Sequence, residues 1–125
     1  MNVVDSSGWI EFFTEGSNAS VFGEPIENLD QLIVPSITLL EVFKFVLRGK
    51  DETAAFEVIA AMRQGQVIDL DGELALLAGK FGVELGLPLA DSVIYATAQR
   101  SGAVVWTQDS DFRGLPDVEY VAPGA

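Results

Sequence analysis

Asp5, Glu41, Asp91 and Asp109, with Asp111 as a fifth candidate, are the residues of this chain whose types and placement offer chemistry. Each sits beside an apolar run, where a carboxylate is unusual. The chain has no histidine and no cysteine. That excludes a Ser–His–Asp triad, a Cys–His pair, an imidazole base and a thiolate–zinc site. Carboxylates drawn from separate segments into one place form an all-oxygen site for a hard cation such as Mg²⁺ or Mn²⁺. Two unit charges about 5 Å apart repel by about 3 kcal/mol at an effective dielectric near 20. A divalent cation removes that cost, so a converging set of acids is sensible only as a metal site.

Each acid also has an ordinary explanation. Asp5 opens a D-S-S run that suits a helix N-cap. Asp91 falls in a first helical turn, where an acid favours the macrodipole. Asp109 and Asp111 are common turn residues. Glu41 is the most telling, because Leu39, Leu40, Val42 and Phe43 around it are apolar. Lys44 and Arg48 follow it on the same helical side and are candidates to hold a phosphate; the competing role for Lys44 is an i,i+3 ion pair with Glu41.

The elements that must position these groups are legible from periodicity and punctuation. Met1–Val4 reads as a buried strand, and Ser6 or Ser7 caps a helix through Phe13. Ala19–Asp30 is a second helix, weakened by Gly23 and Pro25, and Leu32–Val34 is a second strand ended by Pro35. Ser36 caps a helix stopped by Gly49; it is apolar nearly all round, which predicts burial on more than one side. Asp51–Gln64 is a helix with Phe56, Ile59, Ala60 and Met62 on its inner half. Val67–Leu70 is a strand, Asp71 caps a helix to Leu85, and Gly86–Pro88 breaks the chain. Leu89–Ser101 is a helix ended by Gly102, Ala103–Trp106 a strand, Gln108–Arg113 a turn or one helical turn, and Glu119–Val121 a last strand. Helices alternating with short apolar strands imply a mostly parallel sheet covered on both faces. In such sheets ligands bind beyond the carboxyl ends of the strands. Asp5 follows the first strand and Asp109 follows the Val104–Trp106 strand, so both are expected on that edge, with Asp91 and Glu41 brought there by helix N-termini.

The chain has 125 residues, a single domain over 1–125, and 49% hydrophobic residues are enough for a core. Its opening lacks a basic n-region, and no apolar run approaches the roughly 18 residues that span a bilayer; a cytoplasmic protein is expected, with no membrane partner. The net charge is −12 with only seven cations, three of them at 44–50. That balance argues against broad electrostatic nucleic-acid binding and favours a basic protein partner.

Taken together, three segments carry a family resemblance. They are VVDSSGWIEFF, PSITLLEVFKFVLRG and LPLADSVIYATAQRSGAVVWTQDSDF. The chain resembles the PIN-domain family, and within it the VapC-type toxins of toxin–antitoxin pairs, over essentially its whole length. The resemblance implies a Rossmann-like three-layer α/β/α sandwich and a Mg²⁺- or Mn²⁺-dependent endoribonuclease. It implies Asp5, Glu41, Asp91 and Asp109 as the catalytic and metal-holding acids. Thr107, Ser6 and Asp111 become supporting residues, with Asp111 at a variable position. It further implies a cognate antitoxin that blocks the site, an RNA substrate and a homodimer. Without histidine, the simplest nucleophile is water activated by the cation.

Two other acidic α/β classes fit less well. A receiver domain needs paired acids after the first strand and a lysine after the last, whereas here Ser6 and Ser7 follow Asp5 and the tail VEYVAPGA has no lysine. A haloacid-dehalogenase-type phosphotransferase needs D-x-D after the first strand. A PIN-like domain that only binds a partner is the remaining alternative, and the full acid set argues against it.

Overall fold

The computed structural model describes residues 1–124. Five short strands and six helices follow one another as β1 (Asn2–Val4), α1 (Ser6–Phe13), α2 (Ala19–Glu27), β2 (Leu32–Pro35), α3 (Ser36–Gly49), α4 (Glu52–Met62), β3 (Gln66–Ile68), α5 (Gly72–Leu85), α6 (Leu89–Ser101), β4 (Val104–Thr107) and β5 (Val118–Tyr120). The strands form one sheet in the order β3-β2-β1-β4-β5. Every pairing is parallel, so the expected mostly parallel sheet is wholly so among the described residues.

Side chains alternate across the sheet, which sorts the core into two layers. Val3, Ile33 and Val105 pack with Ile94, Tyr95 and Ala98 of α6 on one face. Val4, Leu32 and Val34 pack with Trp9, Phe22 and Met62 on the other. A third cluster of Leu74, Ala78, Val93 and Ala96 joins α5 to α6. The result is the three-layer α/β/α sandwich. Helix α6 is buried continuously from Ser92 to Ala98. Its buried hydroxyls turn back on the helix: Ser92 Oγ donates to Leu89 O at 2.7 Å and Thr97 Oγ1 to Val93 O at 2.8 Å.

Helix ends follow local chemistry. Asp51 and Asp71 cap α4 and α5 by accepting from the N–H groups of Ala54 and Leu74, each at 2.8 Å. Gly102 ends α6 with φ 65°, a left-handed turn that glycine adopts without strain.

Several expectations are corrected. The cap of α1 is Asp5 rather than Ser6 or Ser7. Helix α3 begins after Pro35 with no side-chain cap, so Ser36 does not play that role. The expected Ala19–Asp30 helix ends at Glu27, and a 3₁₀ turn at Leu29–Gln31 leads into β2, whose last residue is Pro35 itself. Helix α3 is not buried on several sides: Leu40 is 57% exposed and Phe45 48%. Only Thr38 and Val42 are fully buried along it, because a single flank meets the sheet and the neighbouring helices. On α4, Ala55 and Met62 are buried, whereas Phe56 is 56% exposed and rests edge-on against Phe43. Ala60 is exposed as well.

Candidate metal centre

The strand order creates the site. From β1 the chain builds outward through β2 to β3, then returns to place β4 on the other side of β1. The crevice between the carboxyl ends of β1 and β4 is therefore a topological switch point, where α/β sheets bind ligands. Asp5 stands at the end of β1, and its N–H donates to Trp106 O at 3.1 Å, carrying the ladder one step further.

Asp5 is 2% exposed, and its carboxylate is held from three directions. The N–H of Gly8 donates to Oδ1 at 2.9 Å, capping α1. Ser7 Oγ lies 2.8 and 2.9 Å from the two oxygens. Thr107 Oγ1 donates to Oδ2 at 2.6 Å. The Thr107 hydroxyl also accepts the N–H of Asp109 at 2.8 Å, so one buried oxygen links the acid of β1 to the acid beyond β4. Burial pushes the Asp5 carboxyl up to about 6, against the hydrogen bonds from Thr107, Gly8 and Ser7 that pull it down; the charge of Asp109 adds to the rise.

Asp109 begins a 3₁₀ turn, Ser110–Phe112, and its carboxylate accepts the N–H of Asp111 at 2.9 Å. Phe112 is fully buried and packs beside Tyr95 of α6. That anchor folds the turn back over α6, where Asp91 occupies the first turn. Oxygens of Asp91, Asp109 and Asp111 all lie within 4.8 Å of one another. Burial, then the charges of Asp109, Asp5 and Asp111, push the half-buried Asp91 carboxyl up to about 8. Two oxygens bound on opposite sides of Mg²⁺ are about 4.2 Å apart. The three carboxylates thus have nearly the spacing of ligands to one cation, and their mutual repulsion is the kind that a cation relieves. The donor set fits a hard divalent ion and offers nothing to a soft one.

The expected acids are not gathered equally. Asp5, Asp91 and Asp109 share the crevice and feel one another's charge. Asp111, expected to be variable, belongs to the tight group; its signal in the sequence is the D-x-D spacing followed at once by a buried aromatic. Glu41 lies outside that group and accepts instead from Ser6 Oγ at 2.5 Å, which ties α3 to the start of α1 beside Asp5. Lys44 and Arg48 line, with Ser6, Leu40 and Glu41, a groove of about 510 Å³ between α1 and α3. The i,i+3 ion pair between Lys44 and Glu41 is not formed; among the described residues the single ion pair joins Arg100 to Asp71 at 3.1 Å. The sequence points to Ser7 only as a helix cap and to Gly8 not at all, whereas both donate to the Asp5 carboxylate.

The family model of the PIN domain matches residues 3–118. The chain belongs to the PIN-domain family. A relative, ribonuclease VapC4 of Mycobacterium tuberculosis, is 44% identical over 48 residues; that stretch is 38% of this chain and 37% of the relative, so the match spans little more than a third of either. Among solved structures, a toxin–antitoxin complex from Klebsiella pneumoniae superposes with a TM-score of 0.80 at 24% identity, covering 95% of this chain and 96% of that one. VapC20 of Mycobacterium tuberculosis, a Sarcin-Ricin loop cleaving toxin, gives 0.78 at 16% identity over 95% and 98% of the two chains. VapBC2 from Rickettsia felis, bound to a DNA fragment from its promoter, gives 0.76 at 16% identity over 95% and 97%. At these identities the likeness is one of fold.

Proposed function

We propose that this PIN domain is a divalent-metal-dependent endoribonuclease and the toxin of a toxin–antitoxin pair. The observation that carries the proposal is the Asp91–Asp109–Asp111 group facing the buried Asp5 at the β1/β4 crevice. The family and the VapC4 ribonuclease match support RNA as the substrate.

Asp91, Asp109 and Asp111 would hold the cation, with Asp5 beside them. A bound Mg²⁺ or Mn²⁺ supplies positive charge to a phosphodiester and lowers the pKa of a coordinated water. The chain's own groups do the positioning. Ser7, Gly8 and Thr107 fix the Asp5 carboxylate, Thr107 also fixes the backbone of Asp109, and Ser6 orients Glu41 at the rim. Lys44 and Arg48, free of ion pairs among the described residues, would hold flanking phosphates along the α1/α3 groove that they line.

A cognate antitoxin is the partner we propose, supported by the toxin–antitoxin complexes that share the fold. A cytoplasmic homodimer completes the proposal. The exposed Leu76, Val83 and Leu89 of α5 and α6 offer apolar surface for pairing, and no helix of the described residues is long and apolar enough to cross a membrane.

The test is cleavage of a mixed RNA pool by the purified protein with Mg²⁺ or Mn²⁺ and with EDTA, alongside Asp5→Asn and Asp91→Asn. Cutting that needs metal and both acids, leaving 5′-phosphate ends, is expected. Cyclic phosphate ends would refute direct attack by water, and full activity in either variant would remove that residue from the site.

A further inference from the structure

The acid crevice has cations on both flanks. Lys44 and Arg48 line the α1/α3 groove. On the β5 side stands Arg113, the residue that closes the Ser110–Phe112 turn. It is exposed, and its N–H donates to Ser110 O at 3.0 Å. Its guanidinium carbon lies over the Tyr120 ring, 5.7 Å from the ring centre, and among the described residues it forms no ion pair. Tyr120 pairs in register with Thr107, the residue that donates to Asp5, and the N–H of Val121 donates to Thr107 O at 2.8 Å. The ring therefore stands at the carboxyl end of the sheet, one strand beyond β4, a step of about 4.8 Å. The loop between the two residues is pinned. Gly114 turns it at φ 84°, a left-handed conformation that glycine adopts without strain. The N–H of Leu115 donates to Phe112 O at 3.2 Å, and the Tyr95 hydroxyl donates to Pro116 O at 2.9 Å. A planar cation is thus held on an aromatic face beside the crevice, within the reach of a cation–π contact.

We infer that Arg113 and Tyr120 form a stacking platform for one base of single-stranded RNA, next to the phosphodiester at the acid crevice, a role that rests on RNA being the substrate. A guanidinium plane and an aromatic ring both stack on bases. Asp111, Asp117 and Glu119 neighbour the pair in sequence, so a phosphate is repelled there while an uncharged base is not. In a chain of net charge −12, stacking supplies an affinity that diffuse charge withholds. Purines present more π surface than pyrimidines, so the platform favours adenine over uracil.

The test uses the full chain with Ca²⁺ in place of Mg²⁺, so that binding is read, and the oligomers are checked intact afterwards. Fluorescence anisotropy gives dissociation constants for labelled hexaadenylate, hexauridylate and a base-free hexamer of ribose-phosphate spacers. The native protein should bind hexaadenylate at least about tenfold more tightly than the base-free hexamer, with hexauridylate between them. Arg113→Lys keeps the charge and loses the plane, and Tyr120→Leu keeps apolar bulk and loses the ring. Each should cut the ratio at least about fivefold and leave base-free affinity within about threefold of native. Tyr120→Phe keeps the ring, and Arg63→Ala removes a cation at the end of α4; both should keep the ratio. A ratio unchanged in Arg113→Lys, an exposed substitution that the fold tolerates, would reduce the contact to charge and overturn the inference. So would a ratio near one in the native protein, a ratio lost equally in Arg63→Ala, or a native protein that binds none of the three oligomers. AMP bound as tightly as hexaadenylate would assign the platform to a free nucleotide and overturn it too. Because cleavage is not read, RNA cutting with an unchanged ratio in Arg113→Lys sinks the platform alone, and a ratio lost in Arg113→Lys without RNA cutting sinks the nuclease proposal alone.

Discussion

Replacing Asp91 with Asn should make the metal-free protein more stable while removing its response to a divalent cation. Burial and the charges of Asp109, Asp5 and Asp111 push the Asp91 carboxyl from 3.8 to about 8. In a fully enclosed site that rise would correspond to about 6 kcal/mol, at about 1.4 kcal/mol per pH unit. Asp91 is half-exposed, so water screens much of it and about 2 kcal/mol is the reasonable size. Coulomb's law gives the same order of magnitude: one charge pair at 4.8 Å, the widest separation in the group, repels by about 3.5 kcal/mol at an effective dielectric of 20 before solvent screening. On the other side, an acid lost from the first turn of α6 forfeits about 0.3–1 kcal/mol of macrodipole stabilisation. Repulsion wins, leaving a net gain of about 1–2 kcal/mol, or about 3–8 °C in Tm for a domain of this size. The sign with pH follows from linkage. The unfolded carboxyl releases its proton near 3.8 and the folded one near 8, so the folded state is increasingly disfavoured as pH rises between those values. The gain in Asp91→Asn should therefore vanish near pH 4 and be complete by about pH 8. Calorimetry in EDTA across that range, repeated with Mn²⁺, measures both effects. The metal should raise the Tm of the native protein and leave the variant unmoved. A variant no more stable than the native protein near pH 8 in EDTA, or one that Mn²⁺ stabilises equally, would refute the reasoning.

Thr107→Val removes a fully buried hydroxyl that serves both Asp5 and Asp109; it should cost about 1–3 kcal/mol in urea unfolding. Because the Thr107 hydrogen bond lowers the Asp5 carboxyl, its loss should also move the acid limb of the cleavage profile to higher pH, and Thr107→Ser should restore it. Gly8→Ala places a Cβ 2.7 Å from both Phe22 and Val4, an overpacking expected to cost about 1–3 kcal/mol by the same assay. Lys44→Ala with Arg48→Ala should raise the KM for RNA and leave Mn²⁺ affinity by calorimetry unchanged; an equal fall in both would mean these cations act on the acid site instead.

Much of this architecture is legible in the sequence because local signals and packing agree. Asp71, Pro88 and Gly102 punctuate α5 and α6, and their bounds match the structure within a residue. The strands are short apolar runs, so their centres are found while their ends shift by a residue or two. Helix α3 shows where such signals stop. Leucine, valine and phenylalanine occur on every side of it, so periodicity does not say which flank meets the sheet, and Leu40 and Phe45 emerge exposed. The site divides the same way. Asp5 and Asp109 are placed by strand ends, a topological matter that sequence order supports. Asp111 comes beside Asp91 and Asp109 through the anchoring of Phe112, while Glu41 meets Ser6 Oγ, and neither contact can be read before the tertiary packing is known.

The double duty of Asp5 has a consequence for observation. The carboxylate at the crevice is also the one that ties down an amide in the first turn of α1, the N–H of Gly8. That hydrogen bond is stronger to an anion than to a neutral acid, and the acid changes state near pH 6. The exchange rate of one backbone amide, that of Gly8, should therefore serve as a built-in gauge of charge at the crevice. It can be followed by NMR with no substrate, label or turnover.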